Sequence, residues 1–204
     1  MDGRATLIYL LRHGEVVFAE RRRFVGHLEV PLSPRGEAQC ERQALRLRGA
    51  GLVAIFSSDL GRAVRSAEII GAPHGLAPKT VPALREMDMG RWEGLTAAEL
   101  EAREPAAFRD WIARVGDHPF PDGEDVGRLV ARAWPAFEAI AAEHVGQPVA
   151  VVAHAGPNRA ILCRALGLPL TRLVAFGQDY ASLTVLERTG DGWRLLRLNE
   201  GPGV

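Results

Sequence analysis

Two histidines in this chain occupy matching places. Leu7-Ile8-Tyr9-Leu10-Leu11 runs into Arg12-His13-Gly14-Glu15, and Pro148-Val149-Ala150-Val151-Val152-Ala153 runs into His154-Ala155-Gly156. All-apolar runs of this length suit strands buried on both faces, as in a parallel sheet. In such sheets the ligand crevice opens just beyond the carboxyl ends of the strands. A third run, Leu52-Val53-Ala54-Ile55-Phe56-Ser57, leads into Ser58-Asp59-Leu60-Gly61-Arg62. If the three ends lie together, Arg12, His13, Arg62 and His154 converge on one crevice. Two guanidiniums and two imidazoles make a trap for phosphate or carboxylate, because the arginine fork matches their oxygens. An imidazole there can attack or shuttle protons. Metal binding is disfavoured, since only two strand-end histidines are present and the arginines would repel a cation. No cofactor is expected. The plainer reading of each site, a strand ending in solvated polar residues, stays open on the tripeptides alone.

The elements needed to hold these residues are legible in order. Val16 to Pro31 reads as a long loop over the first strand end, a length at which loops are often functional. Ser33 and Pro34 start a helix as N-cap and first helical residue; it stops at Gly49-Ala50-Gly51. Ser58-Asp59 should cap a helix reaching about Ile70. Lys79-Thr80-Val81 is a weak strand, and Leu84 to Gly94 is irregular. Thr96 and Glu104-Pro105 start two short helices, the second bearing Phe108, Trp111, Ile112 and Val115. Gly116 to Gly123 is a loop, and Glu124 to Val145 is a long amphipathic helix that Pro135 should kink or interrupt. Asn158 to Leu166 is a further helix. Tyr180–Glu187 and Trp193–Leu198 flank Thr189-Gly190-Asp191-Gly192, a hairpin signal. Strands alternating with helices and closed by a hairpin predict a three-layer α/β/α sandwich with a mostly parallel central sheet. The expected organisation is a single domain over 1–204, with a helical insertion over the active site at about 95–125.

Composition narrows the partners. The chain has 204 residues, 47% hydrophobic and 25% charged, with zero formal net charge. No global field therefore recruits nucleic acid or an anionic membrane. Lys79 is the only lysine, so 24 of the 25 basic residues are arginine; base composition of the genome explains such a bias, and single arginines need a motif to stand out. Cys40 and Cys163 lack metal-ligand spacing and read as buried free thiols of a reducing compartment. The opening Met1-Asp2-Gly3-Arg4 precedes an apolar run too short for a signal peptide or span. A cytoplasmic protein is expected, as a monomer or homodimer.

With these residues assembled, the chain resembles the histidine phosphatase superfamily, the phosphoglycerate mutase-like proteins. The matching motifs are Arg12-His13-Gly14; Val25-Gly26 with Pro31-Leu32-Ser33 and Gly36; Ser57-Ser58-Asp59-Leu60 with Arg62-Ala63; Glu86 before Gly90 and Glu93-Gly94; and His154 with Gly156. They appear in the family's order across nearly the whole chain. The resemblance implies a phosphoglycerate mutase-like fold and a phosphohistidine intermediate on His13. It implies that Arg12, Arg62 and His154 hold the oxygens of the transferring group, while Glu86 is the general acid and then the base. Gly14, Val25, Gly26 and Ala155 would line the phosphate site, with Gly14 leaving its carbonyl to orient His13. Two departures stand out. Ala19 replaces an asparagine that contacts phosphate in many relatives, and Ala155 separates His154 from Gly156.

Reaction type follows less directly. Met89 stands where phosphoglycerate mutases carry a tyrosine, and Phe108-Arg109-Asp110-Trp111 offers no Arg-Arg pair, which favours a phosphatase. The stretch Leu84 to Gly94 is similar to α-ribazole phosphatases and to broad-specificity and sugar-phosphate phosphatases. The expected substrate is a small phosphate ester, with α-ribazole 5′-phosphate or a sugar phosphate as candidates. A mutase, a protein phosphatase and a catalytically silent binding protein on the same fold are the alternatives. His74, His118 and His144 read as surface or loop residues, with His27 the one near enough to the crevice to matter. Arg21-Arg22-Arg23 is either a solvated run or a substrate clamp. Phe108, Trp111 and Phe120 suit a small core of the insertion, and Trp92 could line the substrate pocket.

Overall fold

A computed structural model describes residues 5–114 and 118–203. The expectations for Met1-Asp2-Gly3-Arg4, Val115 and Gly116 lie outside the described residues. Six strands form one sheet: β1 (Thr6–Arg12), β2 (Ala54–Ser57), β3 (Lys79–Thr80), β4 (Val149–Ala153), β5 (Leu183–Thr189) and β6 (Gly192–Glu200). Their order across the sheet is β3-β2-β4-β1-β5-β6. The first four run parallel, and β5 and β6 add an antiparallel hairpin at the β1 side. The sheet is thus mostly parallel, as the apolar runs predict.

Alternation along the strands divides the core in two. Ile8, Leu10, Phe56, Val149 and Val151 face Phe137, Ile140, Ile161 and Leu162 of α5 (Val126–Glu143) and α6 (Ala155–Ala165). Leu11, Ile55, Ala150 and Val152 face Cys40, Leu47, Ala63, Ala67 and Ile70 of α1 (Pro34–Leu47) and α2 (Gly61–Gly71). Helices on both faces bury every residue of β2 and β4, which is why those runs contain no polar alternation. Two short helices, α3 (Ala97–Arg103) and α4 (Pro105–Ala113), precede α5.

Helix starts show what local signals carry. Ser33 Oγ accepts the Gly36 N–H at 3.0 Å, and Thr96 and Glu99 form a reciprocal capping box. Ser58 and Asp59 do not cap α2. Leu60 holds the N-cap position, and a Glu29 carboxylate oxygen accepts the Gly61 N–H at 3.2 Å instead. Helix α6 begins at Ala155 rather than Asn158. Gly156 and Pro157 fall in its first turn, where a missing proline N–H costs nothing. Pro135 does not interrupt α5. Leu129 and Ala133 before it and Phe137 and Ile140 after it are all buried, and their packing outweighs the lost hydrogen bond, a cost of about 3 kcal/mol. Tyr180 lies outside β5, because Ala181 takes a left-handed backbone (φ 52°) ahead of the strand.

The aromatic residues near 95–125 are not a separate small core. Phe108 and Phe120 join Trp92, Leu100, Met87, Leu129 of α5 and Cys163 of α6 in one cluster. Trp92 is fully buried there and lines neither cavity beside Glu86, contrary to the expectation that it could face substrate. Both cysteines are free and buried. Among the described residues no helix is long and apolar enough to cross a membrane.

Candidate active site

Register positions the two histidines. In the parallel ladders Arg12 pairs with Ala153, and Ser57 of β2 pairs with Val152. The next residues are His13, His154 and Ser58, so three strand ends meet on one edge. The His13 N–H donates to the Ala153 carbonyl at 3.0 Å, extending the ladder past β1. The two imidazoles lie with centroids 5.0 Å apart at 58°.

His13 Nδ1 is 2.7 Å from the Gly14 carbonyl. A carbonyl only accepts, so Nδ1 carries the proton and Nε2 keeps its lone pair. Burial, and then the charges of Arg12 and Arg62, hold the His13 pKa well below the usual histidine range. The ring is therefore neutral at pH 7. His154 is held down likewise, by burial first and then by His13, Arg62 and Arg12. Its Nε2 lies 2.6 Å from Ser58 Oγ. That contact explains why Ser58 is unavailable to α2.

The arginines are fixed by backbone carbonyls. Arg62 is 1% exposed and donates from Nη1 to Leu28 O (2.8 Å) and from Nη2 to Gly26 O (2.7 Å). It thereby ties the Val16–Pro31 loop to α2. Arg12 Nη1 donates to the Gln178 carbonyl at 2.5 Å, and the Arg12 guanidinium lies 3.9 Å from the centre of the Tyr180 ring.

Glu86 is buried, and its carboxylate accepts the N–H groups of Met87 (2.9 Å) and Gly156 (3.0 and 3.3 Å). A Cβ at residue 156 would lie 2.2 Å from Glu86 Oε1, so only glycine lets that N–H approach. The Glu86 segment hangs on Arg132 of α5, which donates to the carbonyls of Ala83 (2.7 Å), Arg85 (2.8 Å) and Glu86 (2.8 Å). Arg132 also makes a two-point pair with Glu124, both contacts 2.8 Å. His27 Nε2 lies 2.9 Å from the Glu86 carbonyl; its place is behind the acid, not in the cavity.

A cavity of about 230 Å³ collects Arg12, His13, Arg62, Glu86, Val25 and Ala155 from the sequence-derived set. Gly14 and Gly26 contribute carbonyls from behind, and His154 stands against His13 beneath the wall. Ala19 sits in a short 3-10 turn and does not line this cavity. The loop supplies Arg22 and Arg23 instead. Arg23 is engaged by Glu99 (3.2 Å) and the Gly94 carbonyl; Arg21 and Arg22 are both exposed, Arg22 at the edge of the cavity. Among the described residues no group of three or more His, Cys, Asp or Glu could hold a metal ion.

The family model described as "Histidine phosphatase superfamily (branch 1)" matches residues 8–201. The chain belongs to the histidine phosphatase superfamily. Phosphoserine phosphatase 1 of Hydrogenobacter thermophilus is 31% identical over 192 residues, covering 94% of this chain and 91% of the relative. A "Probable phosphoglycerate mutase GpmB" of Proteus mirabilis is 37% identical over 164 residues, covering 79% and 75%. A solved mycobacterial glucosyl-3-phosphoglycerate phosphatase superposes with a TM-score of 0.87 at 31% identity, over 97% of this chain and all of that one.

For this superfamily member, sequence reasoning overlooked Tyr180, Gln178 and Arg132 as parts of the site. Nothing marks Arg132 among 24 arginines, and Tyr180 reads as the start of a strand. Ser58 stands in a matching motif and has the composition of a helix cap, yet its hydroxyl meets His154.

Proposed function

We propose that the protein is a phosphomonoesterase that passes a phosphoryl group through His13, acting on a small phosphorylated metabolite. The observation that carries this reading is the tautomer lock. Gly14 O fixes the proton on His13 Nδ1, burial keeps the ring neutral, and the ring lines a cavity shared with Arg12, Arg62 and Glu86. The Nε2 lone pair attacks phosphorus, and the bond from phosphorus to the ester oxygen breaks. Glu86 gives its proton to the departing oxygen. Arg12 and Arg62, with His154 against the His13 ring, hold the phosphoryl oxygens; fixed cations of this kind stabilise charge spread over a transferring phosphoryl group. Water then gives a proton to Glu86 and attacks phosphorus, the N–P bond breaks, and inorganic phosphate leaves.

Hydrolysis is favoured over mutase transfer because Met89 lines the cavity at the position where the resemblance puts a mutase tyrosine, and the tyrosine that does line it, Tyr180, lies over the Arg12 guanidinium. Relatives carry both kinds of name, so the test addresses the chemistry directly. Rapid quench with p-nitrophenyl phosphate should yield an acid-labile, base-stable phosphoenzyme in the wild type and none in His13→Ala. Label on serine or aspartate, or equal turnover by His13→Ala, would overturn the reading.

A further inference from the structure

A second cavity, of about 190 Å³, opens on the other side of Glu86 and shares Glu86, Met89 and Ala155 with the first. Its walls are apolar and partly flat: Trp111 and Phe120 lie with centroids 4.7 Å apart, with Val126, Leu173 and Val174 around them. A cavity of roughly 150 Å³ holds a benzene ring, so one aromatic ring fits here. Arg159 and His118 both line this chamber, and His118 Nε2 lies 3.4 Å from the Asp110 carboxylate. Arg159 of α6 spends its Nε on the Phe176 carbonyl at 2.8 Å, and among the described residues neither of its Nη atoms has a partner and no carboxylate pairs with it. Burial, and then the charge of Arg12, lower its pKa, with the Glu86 carboxylate opposing them. Among the described residues the two Arg159 Nη groups are left for an anion that enters the chamber.

We infer that this chamber is a leaving-group subsite for an aryl phosphate, or one with a similarly flat apolar body, that carries a carboxylate at its far end, read by Arg159. The inference rests on the phosphatase reading above. With phosphorus at His13 and the ester oxygen at Glu86, the rest of the molecule can pass over Met89 and Ala155 into the chamber. The ring then stacks against Trp111 and Phe120, and the acid meets the free Nη1/Nη2 edge of the guanidinium. A polyhydroxylated sugar would leave its hydroxyls unpaired against these walls.

The test compares 4-(carboxymethyl)phenyl phosphate with its methyl ester, which leaves as a phenol of similar acidity and has no charge at the far end. Wild type should prefer the acid by about tenfold or more in kcat/KM, the worth of one charged hydrogen-bonded contact. Arg159→Met, which keeps the apolar stem, should bring the acid-to-ester ratio close to one. Trp111→Ala should lower kcat/KM for both aryl esters more than for glycerol 1-phosphate. Equal use of acid and ester by the wild type, or an unchanged ratio in Arg159→Met, overturns the subsite while leaving the phosphatase reading intact. If neither ester nor p-nitrophenyl phosphate is turned over, both fail together.

Discussion

The Tyr180 ring covers the face of the Arg12 guanidinium at 3.9 Å, and its own centroid is 5.6 Å from that of His13. Both contacts are made by one short segment. Gln178 O takes Arg12 Nη1, and the Ala181 N–H donates to the His13 carbonyl at 2.9 Å. The left-handed Ala181 turn thus presses the segment onto the first strand end. If the ring sets the plane of the guanidinium, its face matters and its hydroxyl does not. A desolvated cation–π contact of about 1–2 kcal/mol corresponds to about five- to thirty-fold in rate. Tyr180→Ala should lose that much kcat/KM and bind vanadate correspondingly more weakly, whereas Tyr180→Phe should stay within about twofold, a change inside the noise of a surface substitution. Paired with Arg12→Ala, the Tyr180→Ala penalty should vanish; additive losses would show that the ring acts elsewhere.

Acid should weaken the fold before it protonates His13 in the folded protein. His13 and His154 have folded pKa values well below the 6.5 of an unfolded histidine. Between those folded values and 6.5 the unfolded chain binds protons that the folded chain does not, so stability rises with pH through that window and is level above it. Thermal melts in phosphate-free buffer should show Tm falling as pH drops below 6.5. His154→Gln, which keeps a group for Ser58, should flatten the fall. A Tm that is constant from pH 7 to pH 5 would contradict the buried neutral pair.

Arg132 should behave as a positioning residue for Glu86. Its side chain holds three consecutive-segment carbonyls and the Glu124 carboxylate. Removing one partner of a largely buried pair costs about 3 kcal/mol. Arg132→Met should therefore lower stability by that order. It should also reduce turnover of alkyl phosphates, which need a proton on the leaving oxygen, more than that of p-nitrophenyl phosphate. A uniform loss across leaving groups would assign Arg132 to stability alone.

Gly156→Ala tests the acid from the other side. The added methyl would stand 2.2 Å from Glu86 Oε1 and must displace it. Poor leaving groups should suffer about a hundredfold, the lower range for lost general acid catalysis, and the profile should resemble that of Glu86→Gln. Retained activity on alkyl phosphates would mean that Glu86 reaches the ester oxygen from a different position.

Much of this was legible in the residues. Unbroken apolar runs announced parallel strands, and glycines and capping residues placed α1 and α3 closely. The ordered motifs brought Arg12, His13, Arg62 and Glu86 to one cavity. What escaped was the support, for a physical reason. Arg132 and Gln178 act through backbone carbonyls, whose positions depend on tertiary folding and leave no side-chain pattern. Ser58 and Asp59 have the composition of a helix cap, yet tertiary partners claim them: His154 takes the first and Arg85, at 2.7 and 2.6 Å, the second. Trp92 next to motif residues suggested a pocket wall, but so large an apolar surface gains more by complete burial.

The ladder through β1, β4 and β2 carries a consequence for how activity first arises in a newly made chain. His13 and His154 are neighbours only because Arg12 sits opposite Ala153, and β1 and β4 are separated by more than a hundred residues of sequence. No local fragment can assemble the pair, and a one-residue slip would turn the strand faces over and part them. Turnover should accordingly emerge late and all at once during refolding. The enzyme's own reaction then becomes a clock for closure of the central sheet.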